Sequence, residues 1–489
     1  MSIPSVVGIP SEMKLGEVDF SLPPDARSYA VKVMASNVQS VASPPISLVS
    51  AAAGAPTTVP QFVSQNIYFD LPCGQSPSTF LDTRFSTISF RATMTCSVAG
   101  AGSTVTSAYL RSGAYSFFDR AYITAGSGQI LEDIGEYGLV YDTLTSLQMN
   151  PALRDATALQ YGFLSDTSNQ GNQGHAWSML AARAPATADI ETRSYSFPLL
   201  SGLLGAGSDK FLNIGRLNKL QFALQTATEL PISILNAGAM TAGTITITLS
   251  DIALNLEYID IGASSVAMLD NTLVDGNSYI HGVSYRTSAV SMTAVSGNQS
   301  LLAGIRGSSV KSIFSRFVDG GAVNTTNSFN GKYDSKNPLA NQLNYSIGGM
   351  KFPSNAPNPL IAPASTYRAT QMAIGAFNNA QFASSIVPAQ YCKLAAGGTA
   401  SGTTLGGTQD ANYTIGTANT ALSQFIYGEN LEVVAKRGLM SGISCVNAPV
   451  FLEVNSSTAP TNAQQVYITA MVDAVFIHNV RTGDIQVRM

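Results

Sequence analysis

Charge is scarce in this 489-residue chain. Asp, Glu, Lys and Arg together make up 11% of it, against ~25% in an ordinary soluble protein. Exposed helical faces are built largely from those residues, so a body of long helices is excluded. Disorder is excluded too, because it needs low hydrophobicity and high net charge, whereas apolar residues reach 45% and the net charge is only −4. Basic residues are not only few but scattered: Lys32, Lys311 with Arg316, and the Lys436-Arg437 pair each sit among small or apolar neighbours. Phosphate neutralisation takes clustered cations, so no direct, sequence-specific nucleic-acid binding is expected.

Cysteine, histidine and tryptophan are equally sparse. The four cysteines, Cys73, Cys96, Cys392 and Cys445, form no CxxC pair and are too dilute for a disulfide framework. They read as buried free thiols, which suits folding in a reducing compartment. Met1–Gly16 has no basic region leading into an apolar stretch, so it is not read as a secretory leader, and no run of about 18 apolar residues occurs. Synthesis in the cytosol is the expectation.

What is present is strand text. Thr87–Val98 alternates, with Ile88, Phe90, Ala92, Met94 and Cys96 on one face. Thr244–Leu249 alternates as well, and the apolar phase then shifts to Ile252, Leu254, Leu256 and Tyr258, which predicts a β-bulge near Ser250-Asp251. Further strands are predicted over 63–71, 115–124, 193–200, 279–290, 301–318, 344–352, 422–434, 449–454 and 465–478. The last is apolar on both faces and should be covered on both sides. Helical text is limited to Tyr137–Met149 and Thr366–Phe377. Residues 1–60, rich in Ser, Ala and Pro from Val38 onward, read as an extended N-terminal arm. Two strand sets, 61–261 and 277–489 with a connection at 262–276, predict an all-β chain of two consecutive sandwiches with short helices. The tracts 165–178, 319–341 and above all 395–421 read as long surface loops.

The chemistry-bearing residues form no constellation. His175, His281 and His478 have no nearby ligand partner, so neither a metal site nor a cofactor site is expected. No GxSxG elbow occurs, and Gly202–Lys210 lacks the spacing of a phosphate loop. Glu132, Asp133 and Glu136 form the sharpest acidic cluster. It admits a glycosidase pair or a calcium site, but it is read here as a solvated turn. Five Asn-x-Ser/Thr triplets, at Asn298, Asn324, Asn344, Asn412 and Asn455, are of the kind a chain rich in these residues produces by chance.

Five stretches in order carry a resemblance. Arg193–Leu230 has a PLLSG turn followed by LNIGRL and a strand. After it come Ser308–Phe317 (SSVKSIFSRF), Asn344–Pro357 (NYSIGGMKFPSNAP), Gly438–Asn455 and Ala474–Val487. Together they resemble the double jelly-roll major capsid proteins of icosahedral double-stranded DNA viruses, most closely those of polinton-like viruses and virophages, over roughly residues 60 to 489. The resemblance implies two eight-stranded jelly rolls and a non-enzymatic role as a homotrimeric, hexon-like capsomer in a virion. It further implies contacts with neighbouring capsomers, penton proteins and minor or cement proteins, and with an internal membrane where one is present. The tract 395–421, which would form an outward tower, has no counterpart in it. Two other classes remain as alternatives: a carbohydrate-binding or adhesive sandwich, which should place aromatics on its loops, and a secreted glycosidase, which needs a leader and a carboxylate pair.

Overall fold

A computed structural model describes residues 26–44, 46–48, 64–99, 105–110, 112–162, 177–178, 189–205, 208, 210–228, 232–236, 242–271, 273, 275–320, 324–325, 328–329, 331–375, 384–386, 391–392, 394, 424–433 and 440–489. The tract 395–421, His175 and most of the 165–178 loop lie outside these residues, as do residues 1–25 and 49–63.

The first half runs through β1 (Arg27–Met34), β2 (Ser40–Ala42), β3 (Ile46–Leu48), β4 (Asn66–Asp70), β5 (Thr79–Ala99), β6 (Val105–Leu110), β7 (Phe118–Ala125) and β8 (Ile130–Gly135). Helices α1 (Tyr137–Gln148) and α2 (Pro151–Tyr161) follow, then β9 (Trp177–Ser178), β10 (Asp189–Pro198), β11 (Leu220–Thr226), β12 (Ile232–Asn236) and β13 (Ala242–Asp260). A short helix, α3 (Ala263–Asp270), leads into the second half. There β14 (Asn277–Met292), β15 (Gly297–Ala303), β16 (Val310–Asp319), β17 (Asn324–Thr325), β18 (Ser328–Phe329), β19 (Ala340–Ile347) and β20 (Met350–Phe352) precede α4 (Pro363–Ala373). The chain closes with β21 (Ile426–Asn430), β22 (Val450–Ser456), β23 (Gln464–Asn479) and β24 (Asp484–Arg488).

The sheet orders repeat. One sheet of the first sandwich runs β1-β13-β5-β10 and the other β4-β11-β7-β8; in the second sandwich they run β14-β23-β16-β21 and β15-β22-β19-β20. Counting eight principal strands per sandwich, both halves place strands 1-8-3-6 in one sheet and 2-7-4-5 in the other. That is the jelly-roll arrangement, twice. All the pairings within these four sheets are antiparallel.

The strands form where alternation dictates. On β5, Ile88, Phe90, Ala92 and Met94 are all buried, and Phe90 packs on the rings of Phe117, Phe118, Tyr195 and Phe197 at 5.5–6.3 Å. The bulge that the phase shift predicts is present: the β13–β5 register slips between Ser250 and Ala253, and Asp251 takes φ 54°. Both helices expected from the sequence form. Strand β23 lies between β14 and β16 and is covered on both faces over most of its length.

Four expectations need correction. Residues 27–34 are not part of an arm: they pair with β13 from Arg27↔Asp260 to Met34↔Ala253 and supply the first principal strand of the first sandwich. Their Tyr29-Val31-Val33 alternation outweighs the Pro- and Ser-rich text that follows. The stretch 301–318 is two strands in different sheets, because the chain crosses the sandwich at Gly304–Gly307. Helix α2 was not expected, although its signals are ordinary: the Asn150 side chain accepts from the Leu153 N–H, Pro151 opens the helix and Gly162 closes it at φ 73°. Finally, the acidic cluster at 132–136 is no solvated turn. Glu132 lies on β8 and is 1% exposed.

Candidate functional site

The buried acidic cluster lies at the junction between the two sandwiches. The first core is not confined to the first half: Ile280, Tyr285, Ala474, Phe476 and Ile485 from the second half belong to it, and Leu147 of α1 belongs to the second core. Backbones meet here without side chains between them. A Cβ on Gly282 of β14 would lie 2.1 Å from the Gly202 carbonyl oxygen, and one on Gly202 would lie 2.8 Å from that of Val283. Only glycine fits at either position.

Glu132 fixes the Gly202 turn. Its Oε2 accepts from the Ser201 hydroxyl at 2.5 Å and its Oε1 from the Gly202 N–H at 2.8 Å. Burial raises its pKa above the ordinary carboxylate value, while those hydrogen bonds act in the opposite direction. The Pro198–Gly202 turn, part of the text that carries the resemblance, is therefore a junction element.

Three cations of the second sandwich reach acidic or carbonyl groups of the first. Arg316 on β16 donates from Nη1 to Asp142 Oδ2 at 2.6 Å, with both side chains at most 2% exposed, and from Nη2 to the Tyr333 carbonyl at 2.9 Å. The other Asp142 oxygen accepts from Ser112 at 2.5 Å and from Tyr115 at 3.0 Å. Lys332 donates to Asp119 Oδ1 at 3.2 Å and contacts Glu136 Oε2. Arg286 donates to the Asp133 carbonyl at 3.1 Å, while the Asp133 carboxylate is held by both nitrogens of the Arg120 fork at 2.7 Å. The C-terminal segment clasps the first sandwich as well, since Asn218 donates to the Thr482 carbonyl at 2.8 Å and its N–H to that of Gly483 at 3.1 Å. A small sheet also joins the halves, through Ser233↔Ser328 between β12 and β18. Such buried ion pairs add little net stability but strongly penalise any arrangement that breaks them, so they favour this one mutual arrangement of the two sandwiches over others.

The remaining candidates from the sequence do not come together. His281 lies on β14 and His478 at the end of β23, where it is fully buried; among the described residues no group of three His, Cys, Asp or Glu could hold a metal. Cys445 is buried and Cys73 and Cys392 half-buried, all three as free thiols, and burial pushes the first two up to about 11. A cavity of about 610 Å³ opens between the first sandwich, α3 and the start of β14, lined by Phe80, Arg84, Lys210, Phe211, Leu269 and Tyr279 among others. Its cations already have partners: Arg84 binds Asp82 at 2.6 Å and Lys210 the Tyr279 carbonyl at 2.7 Å. Sequence reasoning missed the junction because its partners lie far apart in the chain, Asp142 and Arg316 by 174 positions. The one local hint was apolar residues, Leu131 and Ile134, interleaved with the acids.

Two jelly rolls in tandem, locked along one edge, define the double jelly-roll fold. Solved structures agree. The chain is similar to one in the electron cryo-microscopy structure of the Sputnik virophage, with a TM-score of 0.56 at 12% identity, covering 100% of this chain and 93% of that one. It is similar to the mavirus major capsid protein with a TM-score of 0.52 at 9% identity, covering 100% and 95%. No protein-family model and no curated protein sequence matches the chain. At these identities the likeness is one of fold.

Proposed function

We propose that this chain is the major capsid protein of an icosahedral double-stranded DNA virus, assembling as pseudo-hexagonal homotrimers that tile the shell of the virion. The observation that carries the reading is the repetition of the 1-8-3-6 and 2-7-4-5 strand orders in two consecutive sandwiches. Three such chains around an axis present six near-equivalent sandwiches, an outline that packs on a hexagonal lattice. The composition suits that use, since flanks that are polar but seldom ionised are buried against a neighbour at lower cost than charged ones. Large apolar side chains also stand exposed on the single chain, among them Phe85, Leu159, Ile190, Leu302 and Val433 at 57–83% exposure, as expected of a surface awaiting neighbours.

Function on this reading is assembly, with no turnover and no cofactor. Many modest contacts between copies add up through multivalency, and penton proteins, minor or cement proteins and an internal membrane are the proposed further partners. Light scattering together with negative-stain electron microscopy of purified recombinant protein tests it: a species of three chain masses with hexagonal projections supports the reading, and a monodisperse monomer at all concentrations rejects it.

A further inference from the structure

The Lys332 cluster has features that an ion pair does not require. The lysine sits in a one-turn 3-10 segment, Gly331–Tyr333, and is 8% exposed. Its ammonium faces two carboxylates of the other sandwich, Asp119 at 3.2 Å and Glu136. Asp119 is polarised: its Oδ2 accepts from the Thr228 N–H at 2.9 Å and from the Thr228 hydroxyl at 3.3 Å, which leaves Oδ1 presented to the amine. Glu136 occupies left-handed backbone at φ 54°, a strained conformation that a side chain adopts where its aim matters. The Tyr467 ring lies 5.6 Å from Nζ, and Phe118 and Tyr333, the chain neighbours of Asp119 and Lys332, are fully buried.

From this geometry we infer that Lys332 Nζ and Asp119 Cγ join in an intramolecular amide bond, with Glu136 as the proton carrier. The ion pair is the starting state. Lys332 passes one proton to Glu136, whose carboxyl burial pushes above its ordinary range, Glu136 hands it on to Asp119 Oδ1, and the freed amine attacks Cγ of the now neutral Asp119 carboxyl. The oxygen that gains charge is Oδ2, already under two Thr228 donors. Glu136 then carries a second proton from nitrogen to the Oδ1 hydroxyl, the Cγ–Oδ1 bond breaks, and Oδ1 leaves as water with the bonding pair. Ammonium and carboxylate become amide and water, with no oxidant and no other reactant. The product ties β7 of the first sandwich to the segment between β18 and β19 of the second, 213 positions apart in the chain, and it holds for the single chain whatever that chain assembles into.

The test is denaturing mass spectrometry of the full recombinant chain with a protease digest. The expected result is a mass lower by one water than the sequence requires, and a branched peptide joining the segments around Asp119 and Lys332. Lys332→Arg keeps the cation but cannot form the amide, and Glu136→Gln removes the proton carrier; both should show the full mass while keeping the wild-type circular dichroism. Full mass in the wild type, with the two segments released as separate linear peptides, overturns the proposal. A branch from Lys332 to Glu136 overturns the assignment to Asp119.

Discussion

Arg316 heads the largest fully buried side chains among the described residues, and its guanidinium is tolerable only because Asp142, Thr143 and the Tyr333 carbonyl receive it. Removing one partner of such a pair strands the other charge, at a cost of ~3–5 kcal/mol. Arg316→Ala should therefore lower the urea midpoint by that equivalent and separate one unfolding transition into two as the sandwiches uncouple. Two other buried groups make stability depend on pH, in opposite senses. Burial pushes the His478 imidazole down to about 4, whereas the unfolded value is about 6.5. The unfolded chain thus binds the proton first, and stability falls as the pH drops from about 6.5 to about 4, by roughly 3 kcal/mol. Burial pushes Glu429 up to about 7, against the opposing hydrogen bond from Tyr427. Here the folded chain binds the proton first, so stability rises by a similar ~3 kcal/mol as the pH falls from about 7 toward 4.5. The two should largely cancel in the wild type. His478→Gln should then be more stable at pH 5 relative to pH 7.5 than the parent, and Glu429→Gln less so, in denaturant titrations at the two pH values.

At the scale of elements, the junction rests on β14 meeting the Gly202 turn without side chains between them. Gly282→Val should force the backbones apart, cost at least ~2 kcal/mol by overpacking, and lower the thermal midpoint. A substitution at open Gly128, which has no atom within 4 Å of its would-be Cβ but φ 83°, should show only the local backbone penalty. Much at this scale was legible from sequence. Alternation located β5 and β13 and even the bulge at Asp251, because a period of two reports directly on a half-buried sheet. Strand β1 was hidden by the window around it: Val38–Pro60 looks like linker and drew its neighbour into the same assignment. The junction left only a faint trace in the sequence, the apolar Leu131 and Ile134 between its acids. Whether Glu132 faces water or Ser201 depends on a turn 69 positions away, and local text reports a carboxylate's position, never its burial. The PLLSG text gave the family likeness without revealing its task.

At the scale of the whole molecule, two copies of one topology are fused, and their interface is stiffened by ion pairs, shared core residues and a clasping C-terminus. Stiffness has a use only if the angle between the sandwiches matters outside the chain. On the proposed reading it sets the sixfold outline of the trimer, so variants that loosen the junction should impair assembly more than they impair folding. Electron cryo-microscopy of the purified recombinant protein tests this most directly. The account predicts class averages with three chains about a threefold axis and six sandwich densities at the corners of a near-regular hexagon. Particles holding a single pair of sandwiches, or trimers whose paired sandwiches vary in angle from particle to particle, would contradict it.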